Sequence, residues 1–381
     1  VISTNGQFVA FLSNATNLTA NPVSAGFHIY LRNLQAGATQ LADVDTNGIG
    51  SSDDGLTSLS LSANGQFIAF SSPDGSLVNL DMNHAYDVFV RDSVAGATQL
   101  ISQRDATVIP QAADGFSAST QESVSADGRW VAFASAADDL VLNDTNNTTD
   151  VFLSDMVGGT NLLVSVGFGG GSSLGGASSS PVISANGRYV AFISSATNLV
   201  AGPVNARDNV FRRDLQTGTT VLVSVGTDGV SPGNDDASDA VISADGQCVA
   251  FVSAANNLAV GITSGVNTYW RNVTLGQTVG LPGAGYFAFD PSMSSDGRYV
   301  AYAHLGTTLQ IRDTQLGTDI YTNTVAVTSA AIDPTGAKIF YRKSNTFYVE
   351  ASSPSRTPSQ SKPPPPPKLE TPVAGAMTVA G

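Results

Sequence analysis

Apolar strands of about six residues recur along this chain, each entered through a short polar turn. In Val182-Ile183-Ser184-Ala185-Asn186-Gly187-Arg188-Tyr189-Val190-Ala191-Phe192 the turn is Ala185-Asn186-Gly187 and the strand starts at Arg188. Asn-Gly favours such a turn because both residues tolerate the left-handed backbone that a tight hairpin requires. Relatives of this phrase place their glycines at Gly6, Gly65, Gly128, Gly187, Gly246, Gly297 and Gly336, at spacings of 59, 63, 59, 59, 51 and 39 residues. Those intervals exceed ankyrin, tetratricopeptide and leucine-rich repeats and suit a four-stranded unit with one or two long loops.

Residues 181–225 contain one whole unit. Pro181 to Ser184 predicts a first strand, and Arg188 to Ser194, rich in aromatic and β-branched residues, a second. Asn209 to Asp214 predicts a third and, after a turn through Gly218, Thr220 to Val225 a fourth. Tyr189, Val190, Ala191, Phe192 and Ile193 present apolar side chains to both faces of the second strand. A strand packed between two sheets has that pattern, whereas a one-sided surface strand alternates. The small residue of Ala191 recurs as Ala10, Ala69, Ala132, Ala250 and Ala301, as close packing near an axis requires.

The expected fold is therefore all-β: a seven-bladed β-propeller of four-stranded antiparallel blades, with six blades as the alternative. A β-helix needs shorter rungs, and separate sandwiches would not keep one marker in register seven times. The propeller is expected over residues 1–351, with its last unit short of a fourth strand: residues 329–332, 337–343 and 346–350 read as only three. Residues 352–381 form a proline- and serine-rich tail, whose run Pro363 to Pro367 favours polyproline II and suits a linker or groove ligand. A start at Val1, with no initiating Met or signal peptide, is what a processed or incomplete chain would show.

Charge narrows the partners. With 17 basic against 31 acidic residues the formal net charge is −14, which disfavours a nucleic-acid surface. No uninterrupted apolar run of transmembrane length is present. Cys248 is the sole cysteine, so no internal disulfide forms. It stands where other repeats have Phe8, Phe67, Trp130, Tyr189 and Tyr299, which assigns it to the core rather than to catalysis.

The stretch Ser125-Ala126-Asp127-Gly128-Arg129-Trp130-Val131-Ala132-Phe133 resembles the unit of the TolB-type, WD40-like family of bacterial propeller repeats. The resemblance spans residues 1–350 and lacks the Gly-His and Trp-Asp signatures of eukaryotic WD40 repeats. It implies a periplasmic, secreted or cell-surface bacterial location and a binding or scaffold role. It does not choose a ligand, and the sequence opens on blade one, where TolB itself has an amino-terminal domain.

The strongest chemical pattern lies in loops between second and third strands. Asp81, Asn83 and Asp87 form D-x-N-x-x-x-D, and Asp144, Asn146 and Asp150 repeat it one blade later. Hard oxygen donors at alternate positions suit calcium, completed by carbonyls and water. The competing reading is an Asx turn, in which the side-chain oxygens bond their own backbone. Blade four has Pro203, Asn205 and Asn209 at these positions, and blade five Gly261, Thr263 and Asn267, so calcium is not expected in every blade. Where bound, it would order the loop rather than activate water.

Other candidates read as construction. Arg91-Asp92, Arg213-Asp214 and Arg312-Asp313 suit turn caps or interblade ion pairs. Asp53-Asp54, Asp138-Asp139 and Asp235-Asp236 are acid pairs in polar loops, Glu122 is a lone acid before a marker strand, and His28, His84 and His304 differ in register. None forms a triad, a zinc set or a glycosidase pair with defined spacing. The expected function is a noncatalytic secreted or cell-surface scaffold that binds a protein partner or glycan or joins a surface assembly. The alternative is a carbohydrate-active hydrolase or lyase with its site on the propeller axis.

Overall fold

The computed structural model describes residues 1–352, apart from 52–56, 80, 84, 106–111, 282–289, 305–307, 325–326 and 344–345. The tail from residue 353 onward, Asp53, Asp54 and His84 thus lie outside the described residues. The chain builds seven antiparallel sheets in sequence order, the seven-bladed propeller that the repeat count predicts. Blade four comprises Ser178–Ile183, Tyr189–Ser194, Asn209–Asp214 and Thr219–Leu222. Its fourth strand ends three residues before the predicted limit, because the Val223 amide continues to the Val210 carbonyl while Val225 folds back on Val223. Blade seven has three strands among the described residues, Ser329–Ile332, Lys338–Lys343 and Thr346–Ala351.

The marker phrase is a side-chain lock. Ser184 Oγ donates to Asn186 Oδ1 at 2.7 Å and accepts the Tyr189 N–H at 2.9 Å, while Asn186 Oδ1 also takes the Arg188 N–H at 3.0 Å. Ser125 with Asp127 and Ser243 with Asp245 do the same. The turn's otherwise unpaired amides are thereby satisfied, and the following strand is launched in fixed register.

Burial falls from the inside outwards. All six residues of Tyr189–Ser194 and of Cys248–Ser253 are buried, whereas fourth strands such as Ala97–Leu100 alternate and bury mainly their final leucine. The first strands of blades four to seven touch in succession, so they surround the axis. Stacked rings on second and third strands fill six blades, among them Phe192 on Phe211 at 5.9 Å and Phe251 on Tyr269 at 5.6 Å.

Blades join through one repeated joint. The turn amide of one blade donates to the turn carbonyl of the next: Ala63 to Ala126, Ala126 to Ala185, Asn186 to Ala244, Ala244 to Ser295 and Ser295 to Pro334, at 2.8–3.3 Å. Beside each bond the turn glycine lies against the marker side chain of the preceding blade, as Gly246 lies against Tyr189 and Gly297 against Cys248. Six hydrophobic clusters among the described residues each span two consecutive blades, from blades one and two through blades six and seven.

The seam between blades seven and one differs. Pro334 has no N–H to donate, Lys338 replaces the aromatic, and nothing lies within 4 Å of where a Gly6 Cβ would sit. The second strands flanking it, Phe8–Ser13 and Lys338–Lys343, are correspondingly part-exposed.

Candidate functional site

Antiparallel order puts the marker turns and the turns after third strands on one face. The two long connections of each blade lie on the other, and they are laced together. Asn83 Nδ2 donates to the Ala113 carbonyl at 2.5 Å, Asn146 Nδ2 to Ser173 at 3.0 Å and Asn205 Nδ2 to Gly233 at 2.7 Å. Each bond ties the loop within one blade to the connector leaving it. The following blade grips the same connector through Asp105 N–H to Asp139 O, Phe168 N–H to Asn198 O and Thr227 N–H to Asn257 O. A continuous loop layer therefore covers this face from blade two to blade five.

The D-x-N-x-x-x-D residues all lie in this layer, with unequal roles. Asn83 and Asn146 are clamps: Asn146 Oδ1 accepts the Thr148 N–H at 3.0 Å in an Asx turn, and its amide donates to Asp150 Oδ2 at 2.7 Å. In both, Nδ2 donates within the layer while Oδ1 accepts a backbone N–H, from Ala85 in the case of Asn83. Asp150 is fully buried and also accepts Ser165 Oγ at 2.5 Å and Ser173 Oγ at 2.9 Å. Asp87 is fully buried on Ser102 Oγ at 2.5 Å, with its other oxygen lacking a hydrogen bond of good geometry. Burial pushes Asp87 up to about 7, Ser102 opposing and Asp81 adding to the shift, and raises Asp144 to about 6, with the Asp150 charge adding.

At the axis, Glu122 is the residue whose role its sequence position did not reveal. It adopts φ 57°, and Ser58, Ser180 and Asp239 take similar left-handed values where other first strands bulge. The Glu122 carbonyl accepts the Ile183 N–H of blade four at 2.9 Å, while its carboxylate approaches the Ile242 amide of blade five. A side chain from blade three reaches blade five only across the axis. Glu122 is exposed as a residue, yet surrounding protein raises its carboxyl to about 7, opposed by the Ile242 N–H. Asp239 and Asp290 are further axial acids, their mutual repulsion adding to the desolvation that raises Asp290.

The Arg-Asp repeats are caps whose ion pairs lie within blades. Asp214 accepts the Gln216 and Thr217 amides and is paired at 2.7 Å with the marker Arg188, not the adjacent Arg213, which bonds Thr220. Asp155 with Arg129 and Asp313 with Arg298 repeat the clamp. Cys248 is buried and its thiol is pushed up to about 12, mainly by desolvation, which leaves it inert at neutral pH. His28 is buried against Asp43 at 2.8 Å, and the side chain of His304 lies outside the described residues.

The loop layer displays large apolar side chains that sequence reading missed. Met82, Phe116, Leu142, Phe168, Val230 and Val260 all project from it, Leu142 73% and Val260 93% exposed. Their sequence signal is faint: single apolar residues in glycine- and asparagine-rich connectors, as in Phe168-Gly169-Gly170. Val230 edges a pocket of about 330 Å³, also lined by Val200, Pro203, Leu222 and Arg271. In the loops of blades one to five, the described basic residues are Arg104 and Arg207, held by Asp139 and by Asp235 with Asp236. The face is acidic with apolar projections.

The class thus defined is a seven-bladed β-propeller with one elaborated loop face. Among solved structures the chain is similar to an oligogalacturonate lyase from Vibrio parahaemolyticus, with 12% identity over 89% of this chain and 84% of that one and a TM-score of 0.54. It is similar also to hydrazine synthase from Kuenenia stuttgartiensis, with 12% identity over 92% and 94% and a TM-score of 0.50. TolB from Acinetobacter baumannii shares 16% identity over 81% and 78% at a TM-score of 0.41, a likeness that carries no argument. No family model matches the chain, and no curated protein matches it. At these identities the shared feature is the propeller alone.

Proposed function

We propose that the chain is a noncatalytic scaffold that docks a protein through its loop face, as part of an assembly outside the bacterial cytoplasm. The observation that carries this reading is the set of exposed apolar side chains on the hydrogen-bonded loop layer, where Met82, Phe116, Leu142, Phe168, Leu174, Val230 and Val260 outnumber Leu34, Val94, Val157, Leu275 and Leu316 on the turn face. Scattered exposed apolar residues need no explanation, but several on one ordered face mark an interaction surface. Aliphatic and phenyl projections suit a protein surface better than a glycan, and the acidic surround selects a basic, apolar partner. The extracellular or periplasmic setting is supported by the resemblance to TolB-type repeats.

The test compares capture by wild type, a Leu142→Glu/Phe168→Glu variant on the loop face and a Val157→Glu/Leu275→Glu variant on the turn face. A partner retained by wild type and the turn-face variant but lost from the loop-face variant is expected. Equal capture by all three would sink the docking reading. The second reading, a hydrolase or lyase, rests on the axial acids Glu122, Asp239 and Asp290. Oligosaccharide turnover that Glu122→Gln abolishes would put it in place of the scaffold.

A further inference from the structure

We propose that the two D-x-N-x-x-x-D loops each hold a calcium ion against a pair of buried carboxylates, Asp144 with Asp150 in blade three and Asp81 with Asp87 in blade two. The asparagines are already engaged, Nδ2 in the clamp bonds and Oδ1 with a backbone N–H, Ala85 at 2.8 Å and Thr148 at 3.0 Å, so the buried carboxylates are the principal ligands the loops offer.

Asp144 is the first support. It is only 6% exposed, and neither carboxylate oxygen has a hydrogen-bond partner of good geometry. The nearest donors are the Asn146 amide and the Ser172 hydroxyl, and that hydroxyl donates to the Asn143 carbonyl at 3.0 Å. Asn147 at φ 52° bends the chain between Asp144 and Asp150. In blade two the second oxygen of Asp87 is equally buried without a hydrogen bond of good geometry, the Asn83 side chain being its near donor, and the Asp81 charge acts on it. Among the described residues no lysine or arginine pairs with Asp87, Asp144 or Asp150.

The second support is the comparison between blades. Asn209 in blade four occupies the position of Asp150 and takes Ser224 Oγ at 3.1 Å, as Asp150 takes Ser165 Oγ. A neutral amide therefore satisfies this buried position, and a carboxylate is not needed to build the blade. Blades four and five, with Asn209 and Asn267, have Pro203 and Gly261 where blades two and three have Asp81 and Asp144. The two carboxylates are present together or absent together. Paired burial of like charge is costly without a cation, and a divalent ion answers both charges at once.

The donors are hard oxygens, and backbone carbonyls and water can fill the remaining positions of a calcium shell. No described cluster contains three or more His, Cys, Asp or Glu side chains able to hold a metal, so a site built wholly from such groups is not what these loops offer. Met82 and Leu142 lie inside the two loops, so the ion would fix two projections of the docking face. The calcium inference stands independently of that docking reading.

The full chain, stripped with EGTA, is titrated with calcium chloride by calorimetry and followed by thermal unfolding, with magnesium chloride as the comparison ion. Two calcium sites and a melting temperature that rises with calcium concentration are expected, with magnesium at least tenfold weaker. Asp144→Asn/Asp150→Asn, which copies blade four at its buried position, should fold and lose one site. If that variant fails to fold, Asp144→Asn alone should weaken one site at least tenfold. No calcium heat, two intact sites in a folded variant, or stability that responds to acidification but not to calcium would overturn the inference.

Discussion

Glu122 shows how one backbone excursion changes a residue's chemistry. Its left-handed φ sits where the first strand of blade three breaks off, and its carboxylate approaches the Ile242 amide of blade five. The folded carboxyl ionises near 7 rather than near the ordinary glutamate value, because desolvation outweighs the single N–H it approaches. A raised folded pKa on an acid favours the protonated form. Its stabilising contribution is fully present below the unfolded pKa, near 4–5, and is lost as pH rises through 7. Glu122→Gln should therefore flatten the decline in urea midpoint between pH 5 and 8. Parallel wild-type and variant profiles would show that local water solvates the carboxylate as well as bulk water does.

At the scale of single elements, loops are held by amides rather than by strands. Asn205→Ala removes the bond to Gly233 and the contact from Asn209 Nδ2 to Asn205 Oδ1 at 2.8 Å. A cost of about 1 kcal/mol is expected, with faster amide exchange confined to connector residues 226–236. Unchanged exchange there would mean that the Asn257 and Asn234 contacts hold the connector alone. The elements themselves were largely legible: Asn-Gly and Asp-Gly turns and doubly apolar second strands are local signals that survive into the fold. The missed features depend on distant partners. Nothing near Asn146 names Ser173 as its acceptor, and Arg213 is next to Asp214 in sequence although Arg188 makes the ion pair. Blade three shortens its first strand to Ser117–Ala118, with Val124 rejoining Val131 by a single bridge, because more chain lies between the Ser117 and Val124 pairings than between the equivalent Ser178 and Ile183 pairings of blade four.

Across the whole molecule, stability comes from six similar joints and a seam that departs from them. An added Cβ at Gly246 would overlap the Tyr189 ring at a φ of +74°, whereas Gly6 has a comparable φ and open space. Gly246→Ala should cost about 2–4 kcal/mol and Gly6→Ala about 1 kcal/mol by urea unfolding. Equal losses would show that blades seven and one are sealed as tightly as the others. Blade number was legible because seven markers share a register. The seam was not, because it depends on Pro334 and Lys338 facing a blade more than 300 residues away.

The sameness of the joints has an evolutionary consequence. From blade two to blade six, each turn offers a donor to one neighbour and an acceptor to the other, with its glycine against the marker side chain of the blade before. A blade is therefore an interchangeable part with a standard plug and socket. Duplicating or deleting one alters the circumference of the ring without demanding a new joint, so lineages built on this unit can change blade number while the surface loops diversify independently.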